Sequence, residues 1–314
     1  MKKILIGVPC FNEEETISEC LGYLLDEKSK LDNFEVEILV VNDGSRDSTL
    51  EILQKFNDEI IILNSMTNCG LSEVFNTIMN FTSINDYDYV LIYDADNQYP
   101  SNDIPKLLQN SIDNKSDIQI GARDFKKTIH FSKTKNLLQV LGSLIVSKIL
   151  GIKIKDVTSG FRIYSKRATN SLFSNNSFTY TIETLFQGVS VGLKINYLTI
   201  GEISKTRDSR LFKSNFDYIK KSIAIIIKSF FLYRLKTAIL VITAMFVTPG
   251  IIMLSRFFTP YFINGSNPGN VQSLIVGTGY MTILIIFLFY ILIRIDTFKK
   301  HSEIRKLIYK SKHI

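Results

Sequence analysis

The chain has 314 residues, 46% of them hydrophobic and 21% charged, with a formal net charge of +7. A chain of this length is long enough for one sizeable domain plus an appendage. Three cysteines (Cys10, Cys20, Cys69) fall in no metal-ligand spacing and form no even-numbered set, which excludes a disulfide framework and fits a reducing cytoplasm.

The opening stretch, MKKILIGVPC, reads as a first strand over residues 3–9. Its apolar part is too short for a signal peptide, and acidic residues follow at once. Residues 36–42 (VEILVVN) form a second short, β-branched run bounded by turn residues, as expected of buried parallel strands. Between them Glu13–Leu31 reads as a helix with acidic residues in its first turn. Ser48–Phe56 reads as a second helix after the turn Asp43-Gly44-Ser45. A strand over residues 60–63, a helix over 71–81 and a strand over 89–93 follow, the last ending on Asp94-Ala95-Asp96. A helix over 104–114 and a strand over 117–121 complete the alternation. Such a pattern predicts a mostly parallel sheet covered on both faces, with ligands at the carboxyl ends of the strands.

Beyond residue 122 the alternation weakens. Residues 137–150 are a mostly apolar helical stretch. In Phe216–Leu232 the residues Ile219, Ile223, Ile226, Ile227, Phe230 and Phe231 recur at helical spacing, with Asp217, Lys220, Lys221 and Lys228 on the other face. This pattern predicts a basic amphipathic helix lying in a membrane interface. Thr237–Ser255 and Val271–Ile293 carry no charge across 19 and 23 residues. At about 1.5 Å per residue each helix can cross a hydrocarbon core roughly 30 Å thick.

Residues 204–236 hold nine Lys/Arg against Asp208 and Asp217, the segment after Ile293 holds seven, and the loop from Arg256 to Asn270 holds one. By the positive-inside rule the main domain and the tail are cytoplasmic and the loop lies outside. The basic excess thus reads as a membrane-surface signature rather than a nucleic-acid footprint. The expected organisation is a catalytic domain over 1–206, a basic linker and interfacial helix over 207–235, two membrane helices within 236–295, and a basic tail over 296–314.

Asp94 and Asp96 are the strongest local signal. Two carboxylates one residue apart repel each other unless a cation or hydrogen bonds compensate. Hard oxygen ligands suit Mg²⁺ or Mn²⁺ bridging to substrate phosphates. No phosphate-binding GxxxxGK[ST] occurs, and the Gly277-Thr278-Gly279 triplet lies inside an apolar span.

ILIGVPCFNEEETI, ILVVNDGSRDST, YVLIYDADNQYPSNDIPKLL, IGARD and DVTSGFRIYSKRA occur in this order. Together they resemble the family 2 glycosyltransferases of the GT-A fold, specifically the polyprenyl-phosphate (dolichyl-phosphate) mannosyl- and glucosyltransferase branch. The resemblance covers about residues 3–235. It implies an α/β fold of Rossmann-like type followed by interfacial helices and a transmembrane hairpin. It also implies a nucleotide-sugar donor, a divalent metal (Mg²⁺ or Mn²⁺) and a polyprenyl phosphate acceptor at the membrane, with no nucleic acid. Homo-oligomerisation is left open.

Residue by residue, Pro9, Phe11 and Glu13 match the first nucleotide-binding turn and Asp43 the carboxylate that contacts the base. The family usually carries Asp-Asp where this chain has Asn42-Asp43, which leaves uridine against guanosine open. Asp94 would approach the ribose or the metal, while Asp96 and Gln98 would hold the metal on the diphosphate. Arg123 would face phosphate. Asp156 is the first choice for a general base and Glu183 the second, although either could instead orient Arg162 or cap a helix. Arg207, Arg210 and Lys213 would bind the donor diphosphate or the lipid phosphate. The implied reaction is transfer of one sugar with inversion. The alternatives are another lipid acceptor, or a membrane-tethered nucleotide-sugar-binding scaffold. A processive polysaccharide synthase fits poorly, because the chain has no tryptophan for the signature such enzymes carry and only two spans.

Overall fold

The two apolar runs nearest the N-terminus become the centre of a sheet. β1 (Lys2–Cys10) and β2 (Phe34–Asn42) pair in parallel from Lys2↔Phe34 to Cys10↔Asn42. β3 (Ile61–Asn64) adds outside β2, and β4 (Tyr89–Ile92) lies on the other side of β1. The chain, seen here in a computed structural model, is described over residues 1–125, 133–176, 179–201, 215–265 and 271–311. It divides into two units, Met1–Ser229 and Phe230–Ile314.

The sheet of the first unit has seven strands in the order β3-β2-β1-β4-β6-β5-β7. β5 (Ile118–Ala122) and β7 (Ile195–Thr199) are parallel to each other, whereas β6 (Arg162–Ser165) runs antiparallel between β4 and β5. The alternation in the sequence does not reveal β6 and β7. β6 is four residues long and begins on an arginine, and β7 is an only partly buried edge strand, so neither presents a continuous apolar run.

The helices follow the expected order with shifted ends. α1 (Ile17–Ser29) begins four residues later than its acidic first turn suggests. Asn12 adopts a left-handed φ of 55°, and the Glu13 carbonyl accepts from the Thr16 and Ile17 amides, so the helix opens only after that turn. α2 (Thr49–Gln54), α3 (Leu71–Ile84) and α4 (Ile104–Asp113) succeed it. One face of the sheet buries Ile4, Ile6, Val8, Ile38, Val40 and Leu91 against Leu21 and Leu24 of α1 and Leu107 of α4. Burying side chains of this size stabilises by about 1.5–3 kcal/mol each, before the cost of ordering the chain.

α5 (Lys133–Leu150) has two unlike faces. Gln139, Ser143, Val146 and Leu150 are buried. Leu137, Leu138, Val140, Leu141, Leu144 and Ile145 are exposed, Leu137 and Leu144 by 60%. At 3.6 residues per turn these six cover an arc of about 160° opposite the buried four. α6 (Lys166–Ser171), α7 (Thr181–Ser190) and α8 (Asn215–Tyr233) follow in chain order. On α8, Ile223 and Ile227 are half exposed.

In the second unit α9 (Leu235–Asn264) and α10 (Val271–Ser311) form a hairpin. Leu235–Pro260 and Val271–Thr297 are long and apolar enough to cross a membrane, and only 17% of the most apolar window of each is buried. That exposure separates them from the core helices of a soluble domain, which are mostly buried. The helices meet through Ile242, Leu284, Ile291 and Ile295. They approach closely at glycine: a Cβ on Gly277 would lie 2.8 Å from Leu254 Cγ, and one on Gly250 2.8 Å from Met281 Cε. Small residues of this kind let apolar helices pack where lipid gives no hydrophobic drive.

Candidate active site

The strand order reverses direction between β1 and β4, and parallel α/β sheets bind ligands at the carboxyl edge beside such a point. The turns after β1 and β2 are laced together there. The Asn12 amide donates to Ser45 Oγ at 2.8 Å, the Arg46 amide to Asn12 Oδ1 at 2.8 Å, and the Glu13 amide to Thr49 Oγ1 at 2.8 Å. Thr16 Oγ1 donates to the Glu13 carboxylate. Pro9 is the penultimate residue of β1, whose continuation through Phe11 and Glu13 is held against the second turn, with Phe11 exposed.

Asp43 is buried beneath this edge. Its two oxygens accept from the Cys69 and Gly70 amides at 2.7 and 2.8 Å, at the entrance to α3. A carboxylate is favoured at the positive end of a helix. Gly44, with φ 67°, passes so near the Thr67 backbone that a Cβ would lie 2.6 Å from Thr67 C. Asn42 joins the same turn, donating to Asn64 Oδ1 at 2.7 Å and accepting from Ser45.

β4 delivers Asp94, Asp96 and Gln98. Asp96 Oδ1 accepts from the Gln98 amide at 3.0 Å, which folds the loop back on itself. Burial and the neighbouring Asp96, with Glu13 adding, push the Asp94 carboxyl up to about 7 against the pull of Arg123. The same causes bring Asp94, Asp96, Glu13 and Arg123 into one electrostatic neighbourhood. Gly160 closes it on one side, since a Cβ there would lie 2.7 Å from Asp94 Oδ2. A buried carboxylate that resists ionisation beside a second acid is a donor set that a hard divalent cation relieves, so Asp94 and Asp96 fit Mg²⁺ or Mn²⁺ chemically. The described residues hold no ready-made cluster of three acidic, histidine or cysteine ligands, so substrate oxygens would have to complete the shell.

β5 delivers Arg123, which the fold buries against Asp156. Arg123 Nε donates to Asp156 Oδ2 at 2.6 Å and Nη2 to Oδ1 at 3.0 Å, a two-pronged pair with both side chains buried. Nη2 also reaches Thr158 Oγ1 at 2.7 Å and Gln139 Oε1 at 3.1 Å. The Thr158 and Ser159 amides donate to Asp156 Oδ1, each at 3.1 Å. Burial alone would raise the Asp156 carboxyl, but the Arg123 guanidinium and the hydrogen bonds outweigh it and hold the group below the usual carboxylate range. A carboxylate held this way is a weak proton acceptor.

Glu183 lies in the first turn of α7, where its carboxylate accepts from Ser174 Oγ at 3.2 Å and the Asn175 amide at 3.1 Å. Neither acid orients Arg162, whose guanidinium binds carbonyls and a hydroxyl instead. Arg207, Arg210 and Lys213 lie outside the described residues. Gln139, Thr158, Gly160 and Tyr99 enter the site without having been expected. The TSG following Asp156 was a usable signal, whereas Gln139 is one polar residue in an apolar helix and gave none.

A family model described as glycosyl transferase family 2 matches residues 5–173, more than half of the chain. The chain is 28% identical over 226 residues to the dolichol-phosphate mannosyltransferase of Pyrococcus furiosus, covering 69% of this chain and 62% of that protein. It is 23% identical over 202 residues to the undecaprenyl-phosphate mannosyltransferase of Micrococcus luteus, covering 62% and 80%. Among solved structures, the glucosyl-3-phosphoglycerate synthase of Mycobacterium tuberculosis in complex with Mn²⁺, uridine diphosphate and phosphoglyceric acid shares the fold. Its TM-score is 0.56 at 18% identity, over 73% of this chain and 78% of that one. With its motifs in order on a mixed, mostly parallel sheet, the chain belongs to glycosyl transferase family 2 and is a glycosyltransferase of the GT-A fold.

Proposed function

We propose that the protein moves a single sugar, with inversion, from a UDP- or GDP-sugar to a polyprenyl phosphate at the cytoplasmic face of a membrane. The observation that carries the reading is the meeting of two crowded carboxylates, Asp94 and Asp96, with the buried Arg123–Asp156 pair at the carboxyl edge of the sheet. The relatives named for transfer to dolichol phosphate and undecaprenyl phosphate support the acceptor class. The uncovered apolar faces of α5 and α8 and the two membrane-length helices support a lipid acceptor. The concentration of Lys and Arg on both sides of the hairpin, against one in its loop, supports the cytoplasmic orientation.

In this reading Pro9, Phe11 and Glu13 line the nucleotide, and Asp43 fixes the loop that reads the base. Asp94, Asp96 and Gln98 would hold Mg²⁺ or Mn²⁺, which supplies positive charge to the diphosphate as it departs. The acceptor phosphate is already ionised near neutral pH, so the site needs little proton removal. Asp156 accordingly serves by holding Arg123 toward phosphate. Glu183 is left as the second choice for any proton transfer, and Arg207, Arg210 and Lys213 as the grip on lipid or donor phosphate. Most of the rate comes from positioning and fixed charge.

One assay tests this. Membranes containing the protein receive polyprenyl phosphate, Mg²⁺ or Mn²⁺, and a panel of radiolabelled UDP- and GDP-sugars, and label in the lipid fraction is counted. Transfer from one donor class is expected, and Asp96→Ala should abolish it. Transfer that survives Asp96→Ala would sink the metal assignment, and no transfer from any donor would favour a binding scaffold or another acceptor.

A further inference from the structure

Arg162 is the largest fully buried side chain among the described residues, with no exposed surface. A guanidinium stays charged at any pH a protein tolerates. Arg123 and Arg167 answer their charge with Asp156 and Asp117. Arg162 makes no ion pair among the described residues. Nε donates to the Ser159 carbonyl at 2.8 Å and Nη2 to the Val157 carbonyl at 2.8 Å. Nη1 donates to the Thr181 carbonyl at 2.7 Å and to Thr184 Oγ1 at 3.3 Å. Burying a cation without an acid is unfavourable, and a methionine of similar length would avoid that cost.

The carbonyls that Arg162 binds lead to the site. In a trans peptide the C=O and N–H point in opposite directions. The Val157 carbonyl turns toward Arg162, so the Thr158 N–H turns away from it and donates to Asp156 Oδ1 at 3.1 Å. The Ser159 carbonyl does the same, and the Gly160 N–H donates to Tyr99 Oη at 3.0 Å. The cation pulls on the negative ends of these peptides and strengthens the donors at their other ends. Arg162 also pairs in register with Ile92 of β4 and Ile120 of β5, two residues before Asp94 and three before Arg123. Through Thr181 and Thr184 the same fork reaches the first turn of α7.

We propose that Arg162 is a positioning residue of the transfer reaction. From behind, it fixes the segment 156–160 as a rigid wall, with Gly160 packed on the Asp94 carboxylate and Asp156 locked on Arg123. The inference rests on the glycosyl-transfer reading above, and it concerns a residue that touches neither donor nor acceptor.

The test compares the full chain in lipid nanodiscs with Arg162→Met and Arg162→Lys. Binding of UDP and of GDP with Mn²⁺ is measured by calorimetry, sugar transfer to polyprenyl phosphate by radiolabel, and backbone exchange over residues 156–161 by mass spectrometry. Arg162→Met is expected to lower kcat about 100-fold, the order for an ångström-scale misplacement of reacting groups. Nucleotide affinity should stay within about threefold, so that the loss falls on kcat rather than on binding. Arg162→Lys, which restores the charge and three donors but not the planar fork, should regain about tenfold over the methionine variant. Wild-type kcat in Arg162→Met overturns the proposal, as does a loss of nucleotide affinity equal to the loss in kcat, or equal turnover in the two variants. Should neither variant fold, Thr184→Val removes one acceptor of the fork; about three- to tenfold lower kcat at unchanged nucleotide affinity supports the proposal and unchanged kcat overturns it. If the wild-type chain transfers no sugar, the glycosyl-transfer reading fails by itself, and the exchange measurement still decides the structural claim. Faster exchange over 156–161 in Arg162→Met supports the wall, and unchanged exchange removes it.

Discussion

At the scale of single residues the site is a set of charges whose partners decide their chemistry. Asp94 and Asp156 are both carboxylates at the same sheet edge, yet burial and Asp96 push one up to about 7 while Arg123 holds the other below its usual range. The second shift has a direct consequence for stability. Asp156 binds its proton less tightly when folded than when unfolded. Its contribution is therefore complete above the unfolded value of about 4 and is lost as pH falls through the lower folded value. The melting temperature of the detergent-solubilised chain should drop on acidification through this range. Asp156→Asn should flatten that part of the profile while lowering the melting temperature near neutrality. An equally steep acid limb in the variant would mean that other groups carry it. Removing Arg123 instead leaves a buried acid without its partner, so Arg123→Ala should destabilise by about 3–5 kcal/mol in denaturant titrations.

At the scale of elements the joints carry the consequences. Asp43 clasps the two amides that open α3, and Asp43→Ala frees both. A loss of about 1–2 kcal/mol is expected in thermal melts, with faster hydrogen exchange at Cys69 and Gly70 as the local signature. In the hairpin, a side chain at Gly277 meets Leu254, so Gly277→Val should cost about 1–3 kcal/mol of helix pairing, read by unfolding in mixed detergents. The sequence already made most of these elements legible. β1, β2 and β4 announce themselves because strands buried on both faces are continuous apolar runs. α9 and α10 do so because lipid demands uncharged length. What it hid follows from the same physics. β6 and β7 bury too little continuous surface to leave a pattern, and the start of α1 is set by side-chain bonds from a neighbouring turn. The acidic motifs drew attention to Asp94, Asp96 and Asp156, which lie at the carboxyl edge of the sheet. The partner of Asp156 stayed hidden, because Arg162 lies close to it in sequence whereas Arg123 is 33 residues away and is brought to it only by the three-dimensional sheet.

At the scale of the whole molecule, two uncovered apolar faces belong to a chain that also carries two membrane-length helices. Basic amphipathic helices bury such faces at the headgroup boundary. A fluorophore on Leu141→Cys or Ile227→Cys, in a Cys69→Ser background, should be quenched by brominated lipids in nanodiscs. The same dye on the exposed Tyr23 position of α1 should not be. Absence of quenching at both helices would leave the hairpin as the sole membrane contact. Accessibility labelling should find the segment after Ile293 on the same side as the catalytic unit and residues 266–270 on the opposite side.

The reversed strand has a further consequence for how such an enzyme changes over time. β5 ends at Ala122 and β6 begins at Arg162, and the two strands are hydrogen-bonded neighbours, with Ile120 opposite Arg162. The chain leaves the sheet after Ala122 and returns to it at Arg162, and the excursion includes α5 with its exposed apolar side. The excursion is a cassette with fixed ends. Its interior can be lengthened, shortened or exchanged for that of a relative without breaking a strand of the sheet, provided Arg123, Asp156 and the peptides on Arg162 are kept. This segment can therefore diversify while the rest of the sheet stays constant, and chimaeras should be cut after Arg123 and before Asp156, so that the Arg123–Asp156 pair survives.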